Sequence, residues 1–465
     1  MGYFRSIVQG GAFLLFTGFF VPVHAESSAE AKIKALEARL EQSMALIEQL
    51  AAKVSQLEQA GAGVREVQTQ SARQSAKIEQ IEQHVASLGS GVARHSGDVG
   101  LPLHGFADVG LVKSGEDNPV FGKGPKGATV GTVSLYMAPQ FTERVRSLVE
   151  LAFEVDAGGD VETDLERVQI GYAFSDAAIA WLGRFHTPYG YWNTAFHHGA
   201  QIQPSLTRPR LIDFEDDGGI LPAHTTGLWL TGAVAAESGR FGYDIYLGNA
   251  PQINGTAVGS ALSAVTTGGF SPALNALGAA GYAGSGTLNM RQAGSDRHRT
   301  STGFNAWLEP RFAKGLRIGL HGLRTTVVDD SADANETRLN MFGGYLTYLG
   351  EPWEIVGEYY RFRNRDLSGA TGNHGSWAGF AQVGHTFGAW TPYARTERAQ
   401  LDQDDNYFAV LESGRSYKRS AFGVRYDVDP KAALKVEINR THQDDLGTAG
   451  SDSYVETRAQ YSIRF

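Results

Sequence analysis

Val455-Glu456-Thr457-Arg458-Ala459-Gln460-Tyr461-Ser462-Ile463-Arg464-Phe465 closes the chain, and its reading decides the fold. Side chains of an extended strand alternate between two faces. Val455, Thr457, Ala459, Tyr461, Ile463 and Phe465 therefore share one face, and Glu456, Arg458, Gln460, Ser462 and Arg464 share the other. The same division recurs upstream. Leu434, Val436 and Ile438 oppose Lys435, Glu437 and Asn439, while Phe422, Val424, Tyr426 and Val428 oppose Arg419, Arg425 and Asp427. Val168, Ile170, Tyr172 and Phe174 oppose Arg167 and Gln169, and Val149, Leu151, Phe153 and Val155 oppose Arg146, Glu150, Glu154 and Asp156. A soluble sheet would turn its polar face to water and need a second sheet for its apolar face. Here the polar faces carry charges of both signs, which suits the water-filled interior of a transmembrane barrel.

About sixteen such runs follow residue 102, an even number as single-chain bacterial barrels require. They fall near 103–112, 128–139, 145–156, 162–174, 177–186, 222–235, 239–249 and 297–312, then 315–328, 335–349, 352–365, 374–387, 389–400, 415–429, 432–443 and 454–465. Tight turns at Ser175-Asp176, Ala313-Lys314, Gly350-Glu351, Gly388 and Pro430-Lys431 alternate with longer loops at 113–127, 187–221, 250–296, 401–414 and 444–453. Short connections on one side and long ones on the other are the mark of an outer-membrane barrel. Tyr348, Trp353, Phe387 and Trp390 flank the tight turns, where an interfacial aromatic girdle belongs. The predicted fold class is thus an all-β transmembrane barrel of antiparallel strands over 103–465.

The residues ahead of the barrel read differently. Arg5, an apolar stretch from Phe13 to Val23 and small residues around Val23-His24-Ala25 give a signal peptide over 1–25. Ile33, Leu40, Ile47 and Val54 at a positions and Leu36, Leu50 and Leu57 at d positions give a coiled coil over 26–89. So narrow an apolar stripe cannot be buried by one helix and predicts oligomerisation. A linker over 90–102 joins it to the barrel.

Composition removes several function classes. Cysteine is absent, which excludes disulfides, thiolate metal sites and cysteine nucleophiles. A formal charge of −9 argues against nucleic acid as a partner. No GxSxG, P-loop or catalytic carboxylate pair is found, so no enzymatic activity and no cofactor are expected. His186, His197, His198 and His224 cluster loosely, without the HxH or HExxH spacing of a metal site, and hydrogen bonding inside a folded-in loop is the expected role.

The charged groups of interest sit in the 187–221 loop. Arg208 and Arg210 flank Pro209, and Asp213, Glu215, Asp216 and Asp217 form an acidic run. Basic side chains predicted on the wall are Arg146, Arg167, Arg184, Arg419, Arg425 and Arg458. Acids on an inserted loop facing bases on a wall create a transverse field that sorts solutes by charge. The competing expectation is that these charges are solvated, or form ion pairs bracing the barrel. The second long loop has no charged residue from Ala250 to Met290.

The terminal Phe465 resembles the assembly signal of bacterial outer-membrane barrels. The whole layout resembles the DcaP-like trimeric porins and the related phosphate-selective O/P-type group. In sequence the resemblance is carried by Gly183-Arg184-Phe185 through Pro188-Tyr189-Gly190 and by Thr207-Arg208-Pro209-Arg210. It implies a homotrimer with helices wound together in the periplasm, contact with outer-membrane lipid, lipopolysaccharide and peptidoglycan, and passive uptake of small, often anionic solutes. It also implies that the 187–221 loop is the third external loop, folded into the lumen. This chain lacks a lysine-rich inserted loop, which counts against phosphate. Sugar porins with a coiled coil and a siderophore-linked group share the layout; no plug precedes the barrel. The rival expectation is a structural or receptor barrel plugged by its own loops.

Overall fold

The structure, a computed structural model, describes residues 103–118, 122–155, 161–196, 199–215, 219–254, 287–289, 299–329, 335–369, 371–411, 414–444 and 453–465. The expected signal peptide, coiled coil and linker lie outside the described residues, as does most of the uncharged 250–290 stretch.

Sixteen long strands form the molecule: β1 Leu103–Ser114, β2 Lys126–Met137, β3 Val145–Val155, β4 Val161–Ser175, β5 Ala178–His186, β6 His224–Ala236, β7 Gly239–Asn249 and β8 Thr300–Pro310. They continue as β9 Leu316–Asp329, β10 Glu336–Gly350, β11 Trp353–Asp366, β12 Asn373–His385, β13 Trp390–Gln400, β14 Tyr417–Asp429, β15 Ala432–Gln443 and β16 Ser453–Arg464. Each pairs antiparallel with its chain neighbours, and β16 pairs back onto β1 from Phe106↔Arg464 to Ser114↔Glu456, so the sheet closes. Closure removes the two exposed edges that an open sheet would leave in lipid. At the seam Gly105 N–H donates to the Phe465 carbonyl and Phe465 N–H donates to the Gly105 carbonyl, both at 3.0 Å. A side chain at position 105 would collide with the Phe465 ring, so the seam needs glycine there.

The burial pattern is inside-out relative to a soluble protein. Ile170 is 58% exposed while its neighbour Gln169 is 1% exposed. Likewise Leu434, Val436 and Ile438 are exposed, and Lys435, Glu437 and Asn439 are buried inside. Only a hydrocarbon surround makes such an outer surface favourable. One row of it is Leu230–Ile245–Phe304, adjacent on β6, β7 and β8. Ile245→Lys should cost about 2–4 kcal/mol of barrel stability if the row lies near the membrane midplane, read as a loss of folded protein during refolding into vesicles. Unchanged folding would place this row in water.

Connections are short at one rim, such as Asp176-Ala177 and Pro430-Lys431, and longer at the other. Trp353, Phe387 and Trp390 project outward beside the short turns, joined by Phe141, Phe174 and Phe312. Trp390 packs on Tyr426 at 4.5 Å between ring centroids, and Trp353 on His385 at 4.4 Å. The expected girdle is therefore present at this rim. From the 250–290 stretch, Gln252–Asn254 and Thr287–Asn289 pair as a small hairpin foot above β9.

Candidate pore constriction

The chain from Thr187 to Ala223 leaves the wall after β5, enters the barrel and returns to β6. Its neck is closed by Thr187 N–H donating to the Ala223 carbonyl at 2.8 Å and by Asn193 Nδ2 bridging the Thr187 and Ala223 carbonyls at 3.0 Å each. A four-residue helix, α1 Trp192–Ala195, follows immediately. Its first amides are capped from across the barrel: Glu358 on β11 accepts from Tyr191 N–H at 3.1 Å and Trp192 N–H at 2.7 Å. A carboxylate satisfies helix-start amides that would otherwise be buried without partners. Gly190 precedes this turn with φ +61, and a side chain there would strike Glu358 and Tyr360.

Apolar packing holds the first part. Tyr189, Trp192, Phe196, Leu211, Ile220 and Leu221 are buried together with the wall aromatics Trp229, Tyr360, Phe362 and Phe380 and with Phe408 of the 401–414 loop. Trp192 meets Phe380 edge-on at 5.8 Å and Tyr189 meets Tyr360 at 6.2 Å. Tyr407, on the loop helix α2 Asn406–Val410, donates to the Ile220 carbonyl at 2.7 Å.

Charged wall residues hold the second part. Arg395 on β13 donates to Ser205 Oγ, the Thr207 carbonyl and Thr207 Oγ1 at 2.7 Å each, and to Glu397 at 2.8 Å. Glu437 on β15 accepts from Leu206 N–H at 3.1 Å, Tyr393 OH at 2.8 Å and the Thr207 hydroxyl. Lys435 Nζ donates to the carbonyls of Ala200 and Gln203 at 2.6 and 2.8 Å. Buried charges are tolerated when each is met by such a set of partners. None of Arg395, Glu437 and Lys435 was singled out from sequence as an anchor; their inward placement on alternating strands was the available signal.

The sequence-chosen residues separate into groups. Arg208 donates to the Ile212 carbonyl at 2.8 Å and lies over the Phe214 ring at 4.0 Å. Arg210 donates to Gln443 at 2.9 Å and stacks over Tyr417, while its amide N–H is accepted by Glu397. Both are buried anchors of the loop. Arg167 is buried in the wall, pairs with Glu150 and lies over Tyr136. Arg425 pairs with Asp427 at 2.7 Å and donates to the Gln203 carbonyl at 3.1 Å. Arg184, half-buried on β5, donates to the Glu166 carbonyl at 3.1 Å beside the loop neck. Asp216 and Asp217, like His197 and His198, lie outside the described residues. Arg146 is half-buried on the inner row of β3.

A second group of charges clusters on the inner face. Arg458 is paired with Glu456 at 2.8 Å and is 41% exposed, and Arg419 is 4.0 Å from the same carboxylate. Asp213 on the inserted loop feels Arg208, Arg419 and Arg458. Glu116, in the first long loop, feels Arg210, Arg415 and Arg419. Burial raises the pKa of both Asp213 and Glu116 above the usual carboxylate values, with the neighbouring guanidinium groups opposing it. Arginines 208, 210, 415, 419 and 458 thus meet carboxylates 116, 213 and 456, and Arg419 also feels Glu397 and Glu437. Because the raised pKa puts protonation of Asp213 at a higher pH than for an ordinary carboxylate, acidification removes a negative charge early. Anion preference should therefore increase as pH falls, with Asp213→Asn showing a smaller change, as read from reversal potential against pH. A preference that moves towards cations on acidification would contradict this.

The loop neck holds a polar knot. His224 contacts Glu166 through Nε2 at 2.6 Å and Glu215 through Nδ1 at 2.9 Å, and its amide N–H donates to Glu215 at 2.7 Å. His186 lies 3.4 Å from Glu150. Burial opposes the charged form of Glu215, but His224 and Arg184 hold its pKa below the usual value. Ligand atoms of Glu166, His186 and His224 lie within 4.8 Å of one another, a donor set that could hold a divalent ion. As it stands, both His224 nitrogens are engaged by carboxylates and already tie the loop end to the wall.

Solved structures of outer-membrane proteins resemble this chain in fold. The anion-selective porin of Comamonas acidovorans aligns over 78% of this chain and 99% of its own, with 11% identity and a TM-score of 0.50. OmpF of Salmonella typhi, in a complex with daunomycin, aligns over 78% and 97%, with 12% identity and a TM-score of 0.47. A loop-deletion mutant of OmpT from Vibrio cholerae aligns over 78% and 98%, with 11% identity and a TM-score of 0.47. The likeness to the Comamonas protein establishes the sixteen-stranded porin-type barrel. No family model and no curated protein matches the chain.

Proposed function

We propose that the chain is an outer-membrane porin that lets small hydrophilic, preferentially anionic solutes diffuse through a loop-narrowed lumen. The observation carrying this is the division of the interior. Inward side chains of β11, β13 and β15 fasten the 187–223 segment, whereas Asp108, Arg146, Glu154 and Arg458 on β1, β3 and β16 stay partly exposed on the inner face. A segment fastened to one sector leaves the other lined with fixed charge for solutes to pass. Selection is by pore radius and field, without chemistry.

The heptad pattern of Ile33, Leu40, Ile47 and Val54 with Leu36, Leu50 and Leu57 supports assembly as a homotrimer held in the periplasm, with the barrel fixing the number of chains. The deep burial of the inserted segment favours a second reading, a barrel plugged by its own loop that serves as a structural or receptor protein. Vesicle swelling separates them. Vesicles containing the protein should swell in small neutral sugars and faster in small organic anions of the same size. Swelling no faster than that of protein-free vesicles would favour the plugged barrel.

A further inference from the structure

An irregularity of the sheet builds the buried knot at the loop neck. Glu150 of β3 lies opposite Arg167 of β4, and the next pair is Leu151 with Leu165, so Glu166 is the extra residue of a β-bulge. The bulge interrupts the alternation of β4. Leu165 and Val168 are exposed, and both residues between them, Glu166 and Arg167, are buried. Bulges re-aim a side chain in this way and collect near functional sites. On the next two strands His186 of β5 lies directly opposite His224 of β6, with the rings edge-on at 5.2 Å between centroids. Glu166 stands level with them, two residues before the pair Val168↔Arg184. Three neighbouring strands thus bring one carboxylate and two imidazoles together, with donor atoms within 4.8 Å of one another.

The surroundings orient these donors as metal ligands are oriented. Glu215 accepts the His224 main-chain N–H at 2.7 Å through one oxygen and meets Nδ1 at 2.9 Å through the other. A carboxylate held there favours the tautomer with the proton on Nδ1 and turns the Nε2 lone pair towards Glu166, 2.6 Å away. The same carboxylate–histidine pairing stands behind metal-bound imidazoles. Donors around a tetrahedral zinc ion lie about 3.3 Å apart, so Glu166 and His224 need to part by only about 0.7 Å from that 2.6 Å contact. Glu150, held by Arg167, lies 3.4 Å from His186 Nε2 and supplies a fourth donor. A proton on His224 would also answer the carboxylates on either side of it. That arrangement needs neither a second imidazole opposite the first nor a bulge that delivers Glu166 to both. Two nitrogens with carboxylate oxygens suit zinc and its neighbours better than magnesium or calcium, which prefer all-oxygen sites.

We infer that Glu166, His186 and His224, with Glu150 beside them, form a site for a divalent transition-metal ion. The ion staples β4, β5 and β6 where the inserted segment leaves and rejoins the wall. Glu215, at the returning end of that segment, is a positioning residue tied to the ion through His224. This goes beyond the channel reading and holds whether or not the lumen conducts.

The test uses the purified full-length protein, refolded into detergent micelles with Zn²⁺, Co²⁺ or Mg²⁺ present. Metal carried through gel filtration is counted by plasma mass spectrometry, and folding is checked by heat-modifiable gel mobility. Wild type should retain one Zn²⁺ per protomer and no Mg²⁺, and its Co²⁺ form should show the intense visible absorption of a four-coordinate site. His186→Ala and Glu166→Gln should each abolish stoichiometric retention. Glu215→Gln should weaken Zn²⁺ binding about 10–100-fold, the range for losing the carboxylate behind a metal-bound histidine. His104→Ala and His442→Ala, at exposed positions, should change nothing. Zn²⁺ should raise the unfolding temperature of wild type and leave that of His186→Ala unmoved, a difference that hydrogen bonding alone would not give. Folded wild type that carries no metal would overturn the inference, as would equal retention by His186→Ala and Glu166→Gln. A weak six-coordinate Co²⁺ spectrum would assign the ion to exposed histidines and overturn it too, and equal retention of Mg²⁺ would overturn the transition-metal assignment.

Discussion

Arg395→Ala should loosen the inserted segment and raise single-channel conductance, with larger neutral sugars becoming permeant. Arg395 and Glu397 are both fully buried, and Arg395 is the meeting point of Ser205, Thr207, Arg208 and Gln382. Removing one member of a buried pair leaves its partner as an uncompensated charge, at a cost of about 3–5 kcal/mol. That cost falls on the contact between the Ser205–Arg210 stretch and β13. The strand ladders either side of Arg395, Gln382↔Arg395 and Arg395↔Ala421, use backbone groups and survive the change. The barrel should therefore still assemble while Thr207 and Ser205 lose their seat. Conductance and sugar cut-off both unchanged would mean that this stretch does not set the narrowest point.

Reversing charge at the cluster should have the second large effect. Arg458 is more exposed than Arg208, Arg210 and Arg419, and Arg419 stands between Glu456 and the inserted loop. In Arg419→Glu/Arg458→Glu two positive charges of the cluster become negative, beside Glu397, Glu437 and Glu456. The reversal potential in a salt gradient should move from the anion side to the cation side, and the effect should shrink at high salt as screening shortens its reach. A reversal potential that does not move would show that ions pass elsewhere.

How much of this was legible in the sequence follows from the physics of each part. Strand identity was readable because lipid outside and polar groups inside impose a period of two, as in Leu434–Asn439 and Val168–Phe174. The strand ends were less so: β8 begins at Thr300 rather than near 297, and β13 at Trp390, because pairing partners rather than composition decide where a ladder stops. That 187–221 carries special residues was visible from its length and charge. What each charge does was not. Arg208 and Arg210 were marked for the pore mouth, and they anchor the loop through Ile212, Gln443 and Tyr417, contacts made by residues far apart in sequence. Arg184 is predicted on the wall, but its contact with the Glu166 carbonyl at the loop neck could not be read from spacing. The knot of Glu166, His186, His224 and Glu215 could not be read from spacing, since three strands and a loop bring it together.

The most direct test of the central claim is single-channel recording of the purified wild-type protein in a planar bilayer under a salt gradient. The account predicts ohmic conductance steps arriving in threes, with a reversal potential on the anion side. No conductance from correctly folded, membrane-inserted protein would contradict it and leave the plugged barrel as the reading.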